Sequence, residues 1–200
     1  MSEEHHRLPR KPGAPRVGGD GELEVFAADE QAQVNLDLER WRLLAAEVLI
    51  DLGVRGAAEL SLLFVEPEEI AELNAEYMGS ATPTDVLAFP IDAADIETVA
   101  GPGNSSRGPS RPEPDNSDMP LLLGDVVVCP AVAKAQAPSH AGTLDDELAL
   151  LVVHGTLHVL GHDHDTPEAT AAMRARELEL LREHHWCGDA PAAFRQEHAE

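Results

Sequence analysis

Residues 144–164 read LDDELALLVVHGTLHVLGHDH, and this stretch decides how the chain folds. Thr143 stands before it as an N-cap, and the run to about residue 160 is very apolar. A helix of that kind belongs at the centre of a domain. Two histidines interrupt it four residues apart, so His154 and His158 project from one face about 6 Å apart. Gly161 ends the helix in a left-handed turn that only glycine enters cheaply, and the chain turning there can bring His164 back to the pair. Imidazoles set among Leu and Val are costly without a partner. Three neutral imidazoles with a fourth position open describe a catalytic rather than a structural zinc site. One zinc ion per chain is therefore expected on His154, His158 and His164. His162 is expected to point away, His184 and His185 to be solvated near the acidic end, and His5 and His6 to belong to the N-terminal tail.

The spacing H-x-x-x-H-x-x-G-x-x-H is also that of metzincin proteases, which need Glu directly after the first histidine as general base. Gly155 occupies that place here. The likeness is one of metal scaffold and not of reaction.

Outward from this helix, strands and helices alternate. ELEVFAA (22–28) is a first strand. Asp37 opens an amphipathic helix with Leu38, Trp41, Leu44, Ala45, Val48 and Leu49 on one face, ended by Gly53. ELSLLFV (59–65) is a second strand, and Pro67 sits in the first turn of a second helix. TDVLAFP (84–90) is a short strand halted by Pro90, and LLLGDVVVC (121–129) is apolar enough to be buried on both faces. Thr166-Pro167 starts a last helix reaching about residue 183. The pattern predicts an α+β fold: a mixed sheet of about four strands packed by helices, with the zinc-bearing helix central. Residues 1–20 read as a disordered tail, 21–187 as the catalytic domain with a flexible insertion at 92–118, and 188–200 as an acidic tail entering solvent.

Composition restricts the function. Hydrophobic residues are 43% and aromatics 4%, so the core must be Leu, Val and Ala. No apolar run approaches the ~20 residues of a membrane span, and the N-terminus has no signal-peptide core. Cys129 and Cys187 are too few for a disulfide framework. A cytoplasmic protein with no membrane partner is expected. Against 37 acids stand 14 Lys and Arg, a net charge of −23 that repels DNA and RNA as a whole. Contact with a polyanion must be local, through the metal or a few of Arg40, Arg42, Arg55, Lys134, Arg174, Arg176, Arg182 and Arg195.

Three motifs carry a resemblance to a known family. HGTLHVLGHDH (154–164), PTDVLAFP (83–90) and LGDVVVC (123–129) resemble, in order, the signatures of the YbeY family of bacterial endoribonucleases, over roughly residues 22–186. The resemblance implies a zinc on the three histidines and single-strand-specific RNA cleavage. It ties that activity to maturation of the 3′ end of 16S rRNA and to late 70S ribosome quality control, with ribosomal RNA and the small ribosomal subunit as partners. The alternative is a ribosome-assembly factor in which a structural zinc only braces the fold. A small-substrate hydrolase or peptidase is a third reading, against which Gly155 argues. Two features depart from the pattern: Met78 stands where the family has an arginine, and the insertion is long. Asp163, between two histidines, is the candidate catalytic residue. Arg174 and Arg176 are the candidate RNA contacts. Asp85 and Asp125 each have a functional and a merely structural reading. The general base, the cleavage site and the oligomeric state are not set by the sequence.

Overall fold

The N-cap signals and apolar runs lead into regular elements along most of the chain. A computed structural model describes residues 16–17, 23–91 and 120–196. The expected insertion at 92–118 and most of the expected N-terminal tail lie outside the described residues. The strands are β1 (Arg16–Val17), β2 (Leu23–Asp29), β3 (Ala58–Phe64), β4 (Val86–Pro90) and β5 (Leu121–Val128). The helices are α1 (Leu38–Asp51), α2 (Pro67–Tyr77), α3 (Pro130–Gln136), α4 (Leu144–Val159) and α5 (Pro167–Leu180). A 3₁₀ turn (Ala137–Ser139) follows α3, and one π-helical turn (Leu181–His185) follows α5.

The sheet runs β1-β2-β3-β5-β4. β2, β3 and β5 are parallel, β2 pairing with β3 from Leu23↔Ala58 to Asp29↔Phe64. A parallel pair needs a crossover, which α1 supplies. β4 closes the far edge antiparallel to β5. These four strands form the mixed sheet that the sequence pattern predicts. The fifth, β1, lies in the stretch read as a tail, where its backbone pairs with Ala27 and Ala28 on the outer edge of β2.

Alternation along the strands divides the core. Leu60, Leu62 and Phe64 of β3 and Val126 and Val128 of β5 face α1 and α4. Leu63, Val65, Val127 and Cys129 point the other way, against Ile70 of α2. Packed on the sheet beside α1, helix α4 buries Leu148, Leu150, Leu151, Val152, Val153, Leu157 and Val159. Each such side chain contributes roughly 1.5–3 kcal/mol.

Two further regions differ from the sequence expectation. Helix α3 was not foreseen, because seven residues reading PAVAKAQ are too short to display a helical period. The acidic tail is largely exposed where it is described, as expected, but it touches the body at several points. Ala193 lies against Gly142, Phe194 packs edge-on to Trp186 with centroids 4.7 Å apart, and the Arg195 N–H donates to the His140 carbonyl at 3.0 Å.

The start of α4 is fixed by Thr143, whose hydroxyl oxygen accepts from the Asp146 N–H at 3.1 Å while its proton goes to Asp146 Oδ2 at 2.6 Å. Thr143→Ala is expected to lower stability by about 1–2 kcal/mol, read as a lower urea midpoint at unchanged slope.

Candidate functional site

The site is built where α4 ends. His154 and His158 lie one turn apart, with their Nε2 atoms 3.0 Å from each other. The helix stops in a Schellman turn: Gly161 N–H donates to the His158 carbonyl at 2.9 Å, and His162 N–H to the Leu157 carbonyl at 3.0 Å. Gly161 takes φ +83°, the left-handed conformation expected of it. The reversed chain sets His164 with its ring centroid 5.0 Å from His158 and 5.8 Å from His154. The Thr170 hydroxyl on α5 donates to the His164 carbonyl at 2.9 Å and holds the loop. Ligand nitrogens of all three histidines lie within 4.8 Å of one another.

A residue the sequence reading missed completes the cluster. Glu177 of α5 is buried, and its Oε1 accepts from His154 Nδ1 at 2.7 Å. A carboxylate can only accept here, so Nδ1 carries the proton and Nε2 turns its lone pair to the cluster, the tautomer a metal ligand requires. The signal was present in the sequence: Met173, Glu177 and Leu180 share the buried stripe of α5. A carboxylate on such a stripe needs an internal partner. His158 is held neutral. Burial, then the neighbouring His154 and His164, push its pKa down to about 4. Three nitrogen donors, one locked into the right tautomer and one kept unprotonated, fit a divalent transition metal.

The cluster opens on a cleft of about 480 Å³. Met78 at the end of α2 and Val86, Ala88 and Pro90 of the edge strand form one wall; the three histidines, His162 and Asp163 form the other. His162 also lines the cleft, and as expected it is not among the convergent ligands. Burial and the Arg176 guanidinium hold its pKa below the ordinary histidine value. Gly155 packs α4 onto the sheet, and a Cβ there would stand 2.5 Å from Val126 Cγ1. The position after the first histidine therefore has no room for a glutamate base.

The other sequence candidates fall in various places. Asp163 lines the cleft, exposed, and its Oδ1 accepts from the His164 N–H at 2.7 Å. Arg174 and Arg176 are not part of the cleft lining. Arg176 is ion-paired with Glu179 at 2.6 Å and Asp51 at 3.0 Å. Met78 is 59% exposed at the cleft wall. Asp85 caps its own turn, accepting from Val86 N–H at 2.9 Å and the Thr84 hydroxyl at 3.1 Å. Asp125 is buried within β5. His185, expected in solvent, instead bonds Asp146 at 2.9 Å, because the turn after α5 packs against the start of α4. His184 is likewise mostly buried, 3.7 Å from Glu47.

An edge strand lying along a helix that presents two imidazoles, with a third brought to them by the turn that follows, is the framework of a metal-dependent hydrolase. The family model described as Endoribonuclease YbeY matches residues 26–185. The chain is 40% identical over 159 residues to an Endoribonuclease YbeY of Salinispora tropica, covering 80% of this chain and 94% of that one. Its identity to the Mycolicibacterium vanbaalenii protein of that name is 38% over 173 residues, covering 86% of each chain. To the Thermobifida fusca protein it is 39% over 159 residues, covering 80% of this chain and 92% of that one. A solved structure, the solution structure of TM1509 from Thermotoga maritima, covers 80% of this chain and 90% of its own at 23% identity, with a TM-score of 0.46. On the sequence matches, the chain belongs to the YbeY family of endoribonucleases, metal-dependent hydrolases that act on phosphodiester bonds.

The depressed His158 pKa sets a pH dependence. In the unfolded chain this imidazole takes up its proton near 6.5; folded and metal-free, it does so only near about 4. Between those values the unfolded state binds more protons, so stability rises with pH across the window and is lost as pH falls through it. The metal-free protein is expected to show a melting temperature falling from pH 6.5 toward 4, with the decline reduced in His158→Ala.

Proposed function

We propose that this chain is a zinc-dependent, single-strand-specific endoribonuclease, with His154, His158 and His164 as the metal ligands. One observation carries the reading: the three imidazoles converge at an open cleft, with Glu177 locking the tautomer of His154. A zinc ion bound there would polarise a phosphate oxygen and lower the pKa of a coordinated water toward ~7. The chain's own residues do the rest. Glu177 keeps the His154 lone pair aimed at the cluster. Asp163, at the cleft mouth, is the candidate to take up or return a proton. β4 and the loop residues 161–164 wall the cleft, and a single sugar–phosphate strand is the substrate proposed for it.

The family likeness supports ribosomal RNA as substrate, at the 3′ end of 16S rRNA and in late 70S quality control, with the small subunit as partner. A cytoplasmic location agrees with that role, and none of the described helices is long and apolar enough to cross a membrane. The assembly-factor reading, with a purely structural zinc, fits less well: structural sites are closed by four protein ligands, whereas this cluster faces a cleft. The catalytic unit proposed is residues 21–187.

The deciding assay compares single-stranded and duplex RNA, with zinc-loaded and chelated protein. Cleavage of the single strand is expected only in the zinc-loaded form, and His158→Ala is expected to lose both metal and cleavage. Equal cleavage after chelation would overturn the reading, and ribosome association without any nuclease activity would select the assembly factor.

Met78 offers a separate measurement. A methionine makes none of the bidentate hydrogen bonds by which arginine holds a phosphate. Met78→Arg is expected to tighten single-stranded RNA binding and to steepen the log–log salt slope by about 0.7, one phosphate contact. An unchanged slope would place the RNA elsewhere.

A further inference from the structure

We infer that the C-terminal strap, residues 189–196, braces the metal ligand His154 through Gln196 and Glu177. The inference rests on the metal site proposed above and extends it. The carboxylate of Glu177 has two oxygens with different work. Oε1 holds His154 Nδ1 at 2.7 Å, and Oε2 accepts from Gln196 Nε2 at 3.1 Å. The terminal torsion of a glutamate is broad and nearly two-fold, so a carboxylate held at one oxygen swings easily. Held at both, it fixes the ring that it touches.

Gln196 is itself fixed. Its Nε2 also donates to the Arg174 carbonyl at 2.9 Å. Both partners are pure acceptors, so only the NH₂ end of the amide fits there, and its two protons are both used. The strap that delivers Gln196 is anchored independently of the metal site. Phe194 packs on Trp186, the Arg195 N–H bonds the His140 carbonyl, and Trp186 Nε1 donates to Asp146 at 2.6 Å. Asp146 and His154 lie on the same helix, α4. The strap therefore ties the start of α4 to the outer partner of the ligand near its end. The family model matches residues 26–185, so Glu177 lies inside the matched stretch and the strap outside it.

The test uses the full-length protein and two variants, Gln196→Met and a chain ending at Asp189. Methionine keeps the length of the side chain and removes both donors. Zinc affinity is measured by competition with a chromogenic chelator, and the ligand field by the visible spectrum of the cobalt(II)-loaded protein. Gln196→Met is expected to bind zinc about three- to tenfold more weakly and to shift the cobalt bands while keeping the wild-type far-ultraviolet circular dichroism. The truncated chain is expected to lose at least as much affinity. Glu177→Gln, one bond closer to the metal, is expected to lose about ten- to a hundredfold. If Gln196→Met and the truncated chain both keep wild-type affinity and cobalt spectrum, the brace is wrong although the metal site stands. If the wild-type protein binds neither metal, the site itself is wrong.

Discussion

Helix α4 is buried along nearly its whole length, and the structure depends on that constraint. Of its 16 residues 12 are buried, including Asp146, Glu147 and Thr156. A polar group in such a place has to be answered by protein, since water cannot reach it. The surrounding elements supply the answers. Glu147 accepts from His140 Nδ1 and from the Ala141 N–H at 3.1 Å. Burial raises the pKa of Asp146, but hydrogen bonds from Thr143, Trp186 and His185 outweigh it and hold the group below the usual carboxylate range. Thr156 returns its proton to the Val152 carbonyl at 2.7 Å, and Glu177 receives His154. What remains is the pair of Nε2 atoms at the cleft. A helix that has had its other polar groups satisfied presents its chemistry at one spot.

Close packing fixes that spot relative to the sheet. Gly155 lets α4 approach β5 until Val126 fills the space where a side chain would stand. The approach brings His154 and His158 level with the edge strand β4, whose Val86, Ala88 and Pro90 become the opposite wall of the cleft. The residue that denies the protein a zincin-type glutamate is thus the one that places the imidazoles beside the edge strand. Scaffold and missing base have a single cause.

Much of this was legible in the sequence because it is local. The caps at Asp37 and Thr143, the apolar stripe of α1, the run of β5 and the glycine at 161 each act within a few residues, and the structure follows them closely. The three histidines could be read as one cluster because two share a helix face and the third follows a turn of known geometry. What was missed is non-local. Glu177 lies 23 residues beyond His154, on a helix whose polar residues look solvated until one notes that it shares a face with Met173 and Leu180. His185 and the strap looked polar and terminal, yet Asp146 and Trp186 draw them in across about 40 residues of chain. Composition describes how residues behave alone; these behave according to partners brought by the fold.

The charge of the molecule bears on the same site from a distance. With a net charge of −23, the chain as a whole repels a polyanion, and three of its arginines are committed to its own acids. Arg42 is paired with Glu39, Arg40 with Asp145, and Arg176 with Asp51 and Glu179. Such exposed pairs add little stability, but they withdraw cations that would otherwise attract phosphate. The cleft wall offers Met78 where a cation would help, and the convergent imidazoles are uncharged when they act as ligands. A bound divalent ion would then be the dominant positive charge at the cleft, so attraction of phosphate and activation of the reaction would fall to one centre. An enzyme arranged in this way gains little from long-range steering of its substrate.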